Sequence, residues 1–426
     1  YVPLYRRSAE VDPLSLQARG CLLPQFLCIG NGLDGAQDSI RRGNERVLKA
    51  RLADAAFFLD ADRAVASEQR RAQLSRVTFA EGLGSLLDRC ERLEWLAQTL
   101  GRSLALDAAA QADACRAAHL CKHDLVSQMV GEFPELQGLM GGKYLLAEGE
   151  PASVALAVQE HYLPRGADDV LPSSDAGAVV ALAERLELLL SIFAKGQRPS
   201  GSSDPYALRR AGNGILQILW ERQWRLDLQQ LLQQACNHWA DLLPGFAIKA
   251  SDLQADLQEF LRQRLISQLE DQGEAIDLVQ AVTAQSASQQ LLRDPLDALD
   301  RLRLLEQLRS AGELSAVQAV VQRAVRLAEK GDLAADVLSS SGVVDAALFE
   351  QPSEAAMLEV VDQLAGIVSQ QGGDRYSTLC EALAASASAL SAFFDGDTSV
   401  MVMADDMAIR RNRLNLLAVL GNQAAV

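Results

Sequence analysis

The chain has 426 residues, 49% of them hydrophobic, and carries a formal net charge of −16 with a sequence pI near 4.8. That length and apolar content supply more than one core and predict about two to four domains. So acidic a chain excludes wholesale adsorption to nucleic acid, and any polyanion partner has to be held by a local basic face against the global field.

No apolar run approaches the roughly 18 to 20 residues that cross a bilayer. The opening YVPLYRRSAEVD has neither a signal-peptide stretch nor an initiator Met, so the expectation is a cytoplasmic protein without membrane contact and truncated at its N-terminus. Seven scattered cysteines without a CxxC pair read as reduced thiols.

Residues 1–38 read as extended and turn-rich, with LPQFLCI as one buried strand stopped by Gly30, Asn31 and Gly32. This segment is the expected β remnant of a preceding domain. Residues 39–245 turn helical, with apolar steps of three and four in VLKARLADAAFFLDADR and LGSLLDRCERLEWLAQTL. Within them CRAAHLCKHD places Cys115, His119 and His123 at i, i+4 and i+8, followed by Asp124. Zinc or a catalytic divalent ion uses such ligands, yet a structural zinc site needs a second ligand pair and an HD-type site an upstream histidine. His119, His123, His161 and His238 all lie at or after the cluster. Capping or core packing is therefore the favoured reading, no metal site is assigned, and a metal-dependent HD phosphohydrolase acting through His123 and Asp124 is the alternative. Gly141, Gly142 and Gly149 in LMGGKYLLAEGE read as turns flanking an apolar segment. GQRPSGSSDPYALRRAGNGILQIL holds a loop and then a helix with Asp204 as N-cap and Pro205 at its first position.

Residues 246–274 read as a linker and body helix, QADLQEFLRQRLISQLEDQG being amphipathic and closed by Gly273. Residues 275–426 are helical again, interrupted by SSSGVVDAALFEQPSE. There is no GxxxxGK[ST], no GxGxxG after a strand and no GxSxG elbow, so no catalytic residue is assigned. Two basic faces remain. In SAVQAVVQRAVRLAEKG, Val317, Val320, Val321, Ala324, Leu327 and Ala328 form one stripe, and Arg323, Arg326 and Lys330 line up off it. In the last helix Asp405 or Asp406 caps the start, and Ile409, Leu416, Leu417 and Leu420 face inward. At 100° per residue Arg411 points away from that stripe and Arg413 falls inside it, where it must find an acceptor.

Six strings stand in order along the chain: GNERVLKARLADAAFFLDADR, LGSLLDRCERLEWLA, KHDLVSQMVGEFPELQGLMGGKYLLAEGE, VALAVQEHYLPRGADDVLP, DPYALRRAGNGILQIL and FFDGDTSVMVMADDMAIRRNRLNLL. With them the sequence closely resembles the β subunit of the bacterial two-subunit glycyl-tRNA synthetase, over nearly its whole length but only about the C-terminal three-fifths of that subunit. The resemblance implies a mainly α fold: a helical HD-like domain over 39–245, then a helical anticodon-binding domain of the DALR type over 275–426. It implies glycine tRNA as ligand and a separate α subunit, which binds ATP and Mg and forms glycyl-adenylate, in a hetero-tetramer of two α and two β. No cofactor is expected on this chain. Arg323, Arg326, Lys330, Arg410, Arg411 and Asn412 become the tRNA-binding candidates, with Arg323, Arg326, Lys330 and Arg411 expected to face outward on a surface whose acids lie elsewhere. Two departures stand out: His123 replaces a small or neutral residue before the Asp of KxDLV, and Gln322 and Arg326 replace the Lys and Asn of KRVxNIL.

Overall fold

The computed structural model describes residues 1–6, 22–30, 35–271, 275–284, 291–312, 314–370 and 374–425. Helices dominate, and the described strands form one two-stranded sheet. β1 (Val2–Tyr5) and β2 (Leu22–Leu27) run antiparallel, with Val2 opposite Leu27. The strand expected in LPQFLCI is present but not buried, since Leu27 and Ile29 are 55% and 97% exposed. Among the described residues no second sheet lies over the ribbon, and its side chains stay largely in water. Asn31 and Gly32 of the expected stop lie outside the described residues.

The chain divides into two units, Tyr1–Gln268 with Leu292–Pro295, and Leu269–Leu291 with Leu296–Val426. The first holds α1 (Gln37–Arg63), α2 (Ser67–Gln73), α3 (Leu86–Ser103), α4 (Ala108–Leu120), α5 (Gln128–Glu132) and α6 (Leu139–Glu148). It continues with α7 (Ala152–Glu160), α8 (Asp175–Ala194), α9 (Leu208–Glu221), α10 (Leu228–Leu242) and α11 (Ala250–Asp271, whose last three residues belong to the second unit). The centre is α8, whose sequence is apolar nearly all round, as a helix surrounded by others requires. α3, α4, α7, α9 and α10 pack against it. Its buried acids are paired: Glu187 takes Arg89 and Arg92, and Glu184 takes Arg89 and Lys122. Such ions persist in a core only when their charges and donors are matched.

Two boundaries differ from the sequence reading. Asp204 does cap α9, accepting from Leu208 N at 2.8 Å and Arg209 N at 2.9 Å, but the helix begins at Leu208 because Ala207 takes a left-handed φ of 56°. α11 sends Leu253, Leu257, Phe260 and Leu261 into the first unit's core, so this stretch packs as part of that unit. Gly273, its expected stop, lies outside the described residues.

The second unit holds α12 (Ile276–Val282), α13 (Pro295–Ser310, whose first residue belongs to the first unit), α14 (Leu314–Ala328) and α15 (Pro352–Val368). α16 (Asp374–Ala385), α17 (Ala387–Phe394) and α18 (Met407–Ala424) complete it. α18 is its axis, buried from Asn412 through Leu420, with α14 and α15 against it. Gly421 lets α14 approach, for a Cβ there would lie 3.0 Å from Val325 Cγ2. The polar groups of α18 bind backbone carbonyls: Asn415 Nδ2 donates to Val343 O, Asn422 Nδ2 to Ala334 O and Val337 O, and Gln423 Nε2 to Leu338 O and Val361 O. They tie down the irregular segment between α14 and α15.

Candidate nucleic-acid interface

α18 sorts its arginines by angle. Asp406 caps the helix, its Oδ1 accepting from Ala408 N at 2.8 Å and Ile409 N at 3.2 Å. Arg413, seven residues on, is 3% exposed. Its Nε donates to Glu354 Oε1 at 2.7 Å, its Nη2 to Glu350 Oε2 at 2.9 Å and its Nη1 to Met401 O at 3.2 Å. The acceptor that the sequence demanded is thus a pair of carboxylates at the start of α15. Burial alone would raise the Glu354 carboxyl, but hydrogen bonds from Arg413 and from the amides of Glu350 and Gln351 hold it below the usual range.

Arg411 points out, its side chain 70% exposed. Arg410 donates Nε to Ala404 O at 2.7 Å, bracing the loop before the helix. Asn412 is 5% exposed and faces inward: its Oδ1 accepts from Asp345 N at 2.7 Å and its Nδ2 donates to Asp345 O at 2.9 Å. Expected among the outward groups, it is instead engaged at both ends by the 345 loop, because one step of 100° past Arg411 turns it toward that loop.

On α14, Ala324 is buried and Val321, Leu327 and Ala328 are partly so, as the stripe required. The side chains of Val317 and Val320 lie outside the described residues. Arg323, Arg326 and Lys330 are all exposed. Arg323 forks onto Asp395 at 2.5 and 3.0 Å and stands over the Phe394 ring at 4.6 Å. Arg411 reaches Asp332 at 3.3 Å. Arg326 and Lys330 have no ion pair among the described residues. The expectation that acids lie elsewhere is therefore corrected for two of the four cations. Asp395 and Asp332 come from loops 72 and 79 residues away in sequence, an apposition that helical periodicity does not encode. Exposed pairs of this kind are weak and salt-screened, so a phosphate can replace either carboxylate.

The cluster CRAAHLCKHD does not share one helical face, since α4 ends at Leu120 and His123 begins a 3-10 turn, His123–Val126. His119 sits between Glu94, at 2.9 Å, and Glu68, at 3.2 Å. His123 is buried: its Nδ1 accepts from Arg70 Nε at 3.1 Å and its Nε2 faces Gly141 O at 3.2 Å. Burial, with the Arg70 guanidinium alongside, lowers it to about 3 and keeps the ring neutral. Asp124 Oδ2 accepts from Gly138 N at 2.6 Å and Gly141 N at 2.9 Å, and burial pushes this carboxyl up to about 6. Gly149 ends α6 in a left-handed turn as expected, whereas Gly141 and Gly142 lie within the helix. A Cβ at Gly141 would lie 3.0 Å from Asp124 Oδ2, so that glycine lets the carboxylate reach the helix start. Among the described residues no group of three or more His, Cys, Asp and Glu side chains is gathered for a metal ion. Asp124 Oδ2 and His123 Nε2 are turned to the backbone of α6 and its start, and His123 Nδ1 to Arg70, all buried and out of reach of a substrate proton. Arg70, which also binds Glu148 at 2.9 Å, was not singled out by the sequence, and no local pattern marks it.

Residues 7–284 match a family model described as glycyl-tRNA synthetase beta subunit. Among curated relatives, the glycine–tRNA ligase beta subunit of Acaryochloris marina is 45% identical over 95% of this chain and 57% of its own length. That of a Picosynechococcus species is 44% identical over the same shares. That of Trichodesmium erythraeum is 42% identical over 100% of this chain and 59% of its own. The chain thus spans 57% to 59% of the length of these relatives.

Proposed function

The chain belongs to the glycyl-tRNA synthetase β-subunit family, and from that premise we propose that it is the tRNA-recognition part of a glycine–tRNA ligase. The first unit is the HD-like body and the second the anticodon-binding, DALR-type domain. The partner is an α subunit that binds ATP and Mg and forms the adenylate, in a cytoplasmic hetero-tetramer of two α and two β. No bond-making step falls to this chain.

The observation that carries the reading is the outward set Arg323, Arg326, Lys330 and Arg411 on α14 and α18, beside an Arg413 wholly engaged in the fold. Two of the four keep free guanidinium or ammonium groups for phosphates, and two exchange a screened carboxylate for one. The Arg323 plane over Phe394 offers a splayed base a stacking surface. Arg410 and Asn412 hold the loops that frame the face. The test is binding of glycine tRNA to the whole chain, wild type against the double variant Arg326→Ala, Lys330→Ala. A clear loss of affinity is expected, and unchanged affinity in a folded double variant refutes this face as the interface.

A further inference from the structure

α1 is a long helix supported only near its two ends. Its apolar stripe, Ile40, Val47, Leu48, Leu52, Phe58 and Leu59, recurs at helical spacing, yet of these only Phe58 and Leu59 join a core cluster, that of Met129, Val130, Met140 and Tyr144. Near the start the two-stranded ribbon lies alongside, with Tyr1 Oη donating to Asn44 Oδ1 at 2.9 Å. Between these supports residues 45–54 are exposed, except for a half-buried Leu48.

The charges of α1 are unevenly spread. From residue 37 to residue 51 five cations stand against two acids, a net +3 inside a chain of −16. Both acids lie against one cation: Asp38 and Glu45 approach Arg41 at 3.1 and 3.9 Å. Arg51 is paired with Glu132. Arg42, Arg46 and Lys49 remain, exposed at i, i+4 and i+7 on one side of the helix and without an ion pair among the described residues. Arg42 commits only its Nε, to Asp38 O at 3.3 Å. Like charges at this spacing repel and weaken a helix, and no acid on the same side offsets them before Asp60, eleven residues past Lys49. On that side too, three turns beyond Arg46, stands Phe57, 67% exposed, its ring held edge-on by Phe58 at 6.1 Å.

Unpaired cations in a row with an exposed ring beside them fit a polyanion that also carries flat apolar groups. We propose that this side of α1 is an RNA-binding surface, with Arg42, Arg46 and Lys49 on the phosphate backbone and Phe57 stacking an unpaired base, in addition to the face on α14 and α18. The inference rests on the tRNA-binding reading. A basic amphipathic helix can also lie on an anionic membrane. Here that would require sinking the apolar stripe among acyl chains, but one end of the stripe is committed to the core cluster and the other lies beside the ribbon, while Phe57 projects on the side of the cations.

The experiment titrates the whole chain with glycine tRNA at several salt concentrations, for wild type, the double variant Arg46→Ala, Lys49→Ala, and Phe57→Ala, with circular dichroism reporting the fold. A control double variant, Arg102→Ala, Arg165→Ala, removes the same charge from exposed positions elsewhere in the first unit. Expected in Arg46→Ala, Lys49→Ala is a log–log salt slope flattened by roughly 1.4 to 1.8, and in Phe57→Ala an affinity lower by about tenfold at an unchanged slope, within the range of base–aromatic stacking. The control should keep the wild-type slope. An unchanged slope in the folded α1 double variant, or an equal flattening in the control, would overturn the proposal, and full affinity in Phe57→Ala would remove the stacking role. Wild-type binding to phosphatidylglycerol vesicles that is lost in Arg46→Ala, Lys49→Ala, with tRNA binding intact, would assign the surface to a membrane instead. If wild type binds glycine tRNA and only the α1 variants fail to respond, this proposal falls alone; if wild type does not bind the tRNA, the functional reading falls.

Discussion

Arg411 and Arg413 stand two positions apart on one helix, one at 70% side-chain exposure and the other at 4%. Periodicity was enough to separate them, because 200° of rotation carries one side chain from water into the core. It could not name the acceptors, since Glu350 and Glu354 are far away in sequence and reach Arg413 only through packing. Arg413→Ala should destabilise the second unit by roughly 3 kcal/mol, the low end for breaking a buried pair, because Glu350 is itself half exposed. Arg411→Ala should stay within about 0.5 kcal/mol. Thermal melts of both variants check this, and equal melting temperatures would deny the inward role. Because the folded Glu354 carboxyl is depressed, its contribution is present above the unfolded value of about 4.3 and is lost as pH falls through the folded value. The wild-type advantage over Arg413→Ala should therefore hold from pH 7 to 5 and shrink only below about pH 4.3.

At the scale of elements, α6 is the place where local reading failed and the reason is visible. Gly141 and Gly142 look like turn residues, yet they are helical because Asp124, 17 residues before Gly141, supplies an acceptor to the amides of Gly138 and Gly141. Tertiary context overrides propensity there. The same holds for α9, whose cap Asp204 was legible while the left-handed Ala207 that delays the helix was not. Asp124→Ala should cost about 1–3 kcal/mol by leaving those amides unpaired, and Asp124→Asn much less because an amide oxygen can still accept. The pH dependence separates charge from capping. With its folded value raised to about 6, Asp124 gains protons on folding as pH falls from 7 toward 4, which stabilises the native state. His123, lowered to about 3, does the opposite below its unfolded value of about 6.5. Removing the titrating carboxyl in Asp124→Asn leaves the histidine unopposed, so its stability should fall more steeply between pH 7 and 5 than wild type, by up to about 1.4 kcal/mol per pH unit. Parallel slopes in urea titrations across that range would show that Asp124 is already ionised in the fold.

For the whole molecule, the ordered strings carried family membership, and the mainly helical fold followed from apolar periodicity. The electrostatics of the proposed binding face did not, because Asp395 and Asp332 enter it from loops. With no adenylate-forming motif in its sequence, the chain alone should give no glycine-dependent ATP–pyrophosphate exchange; exchange in a preparation free of α subunit would contradict the division of labour. The net charge of −16 makes a sharper demand. Each phosphate held by Arg323, Arg326, Lys330 or Arg411 releases counterions, so affinity for glycine tRNA should fall with salt, and removing two contacts in Arg326→Ala, Lys330→Ala should flatten the log–log slope by roughly 1.4 to 1.8. The acidic remainder of the surface repels the same tRNA, and its reach depends on screening. At about 0.15 M salt the Debye length of about 8 Å confines the interaction to the basic face, whereas at about 0.01 M it grows to about 30 Å and the rest of the chain is felt. Binding should therefore steepen with dilution only down to intermediate salt and then level off, unlike the straight line of a basic RNA-binding protein. Affinities measured from about 0.3 M down to about 0.01 M salt decide it: a line that stays straight to the lowest salt would mean that the local cations act free of the global field.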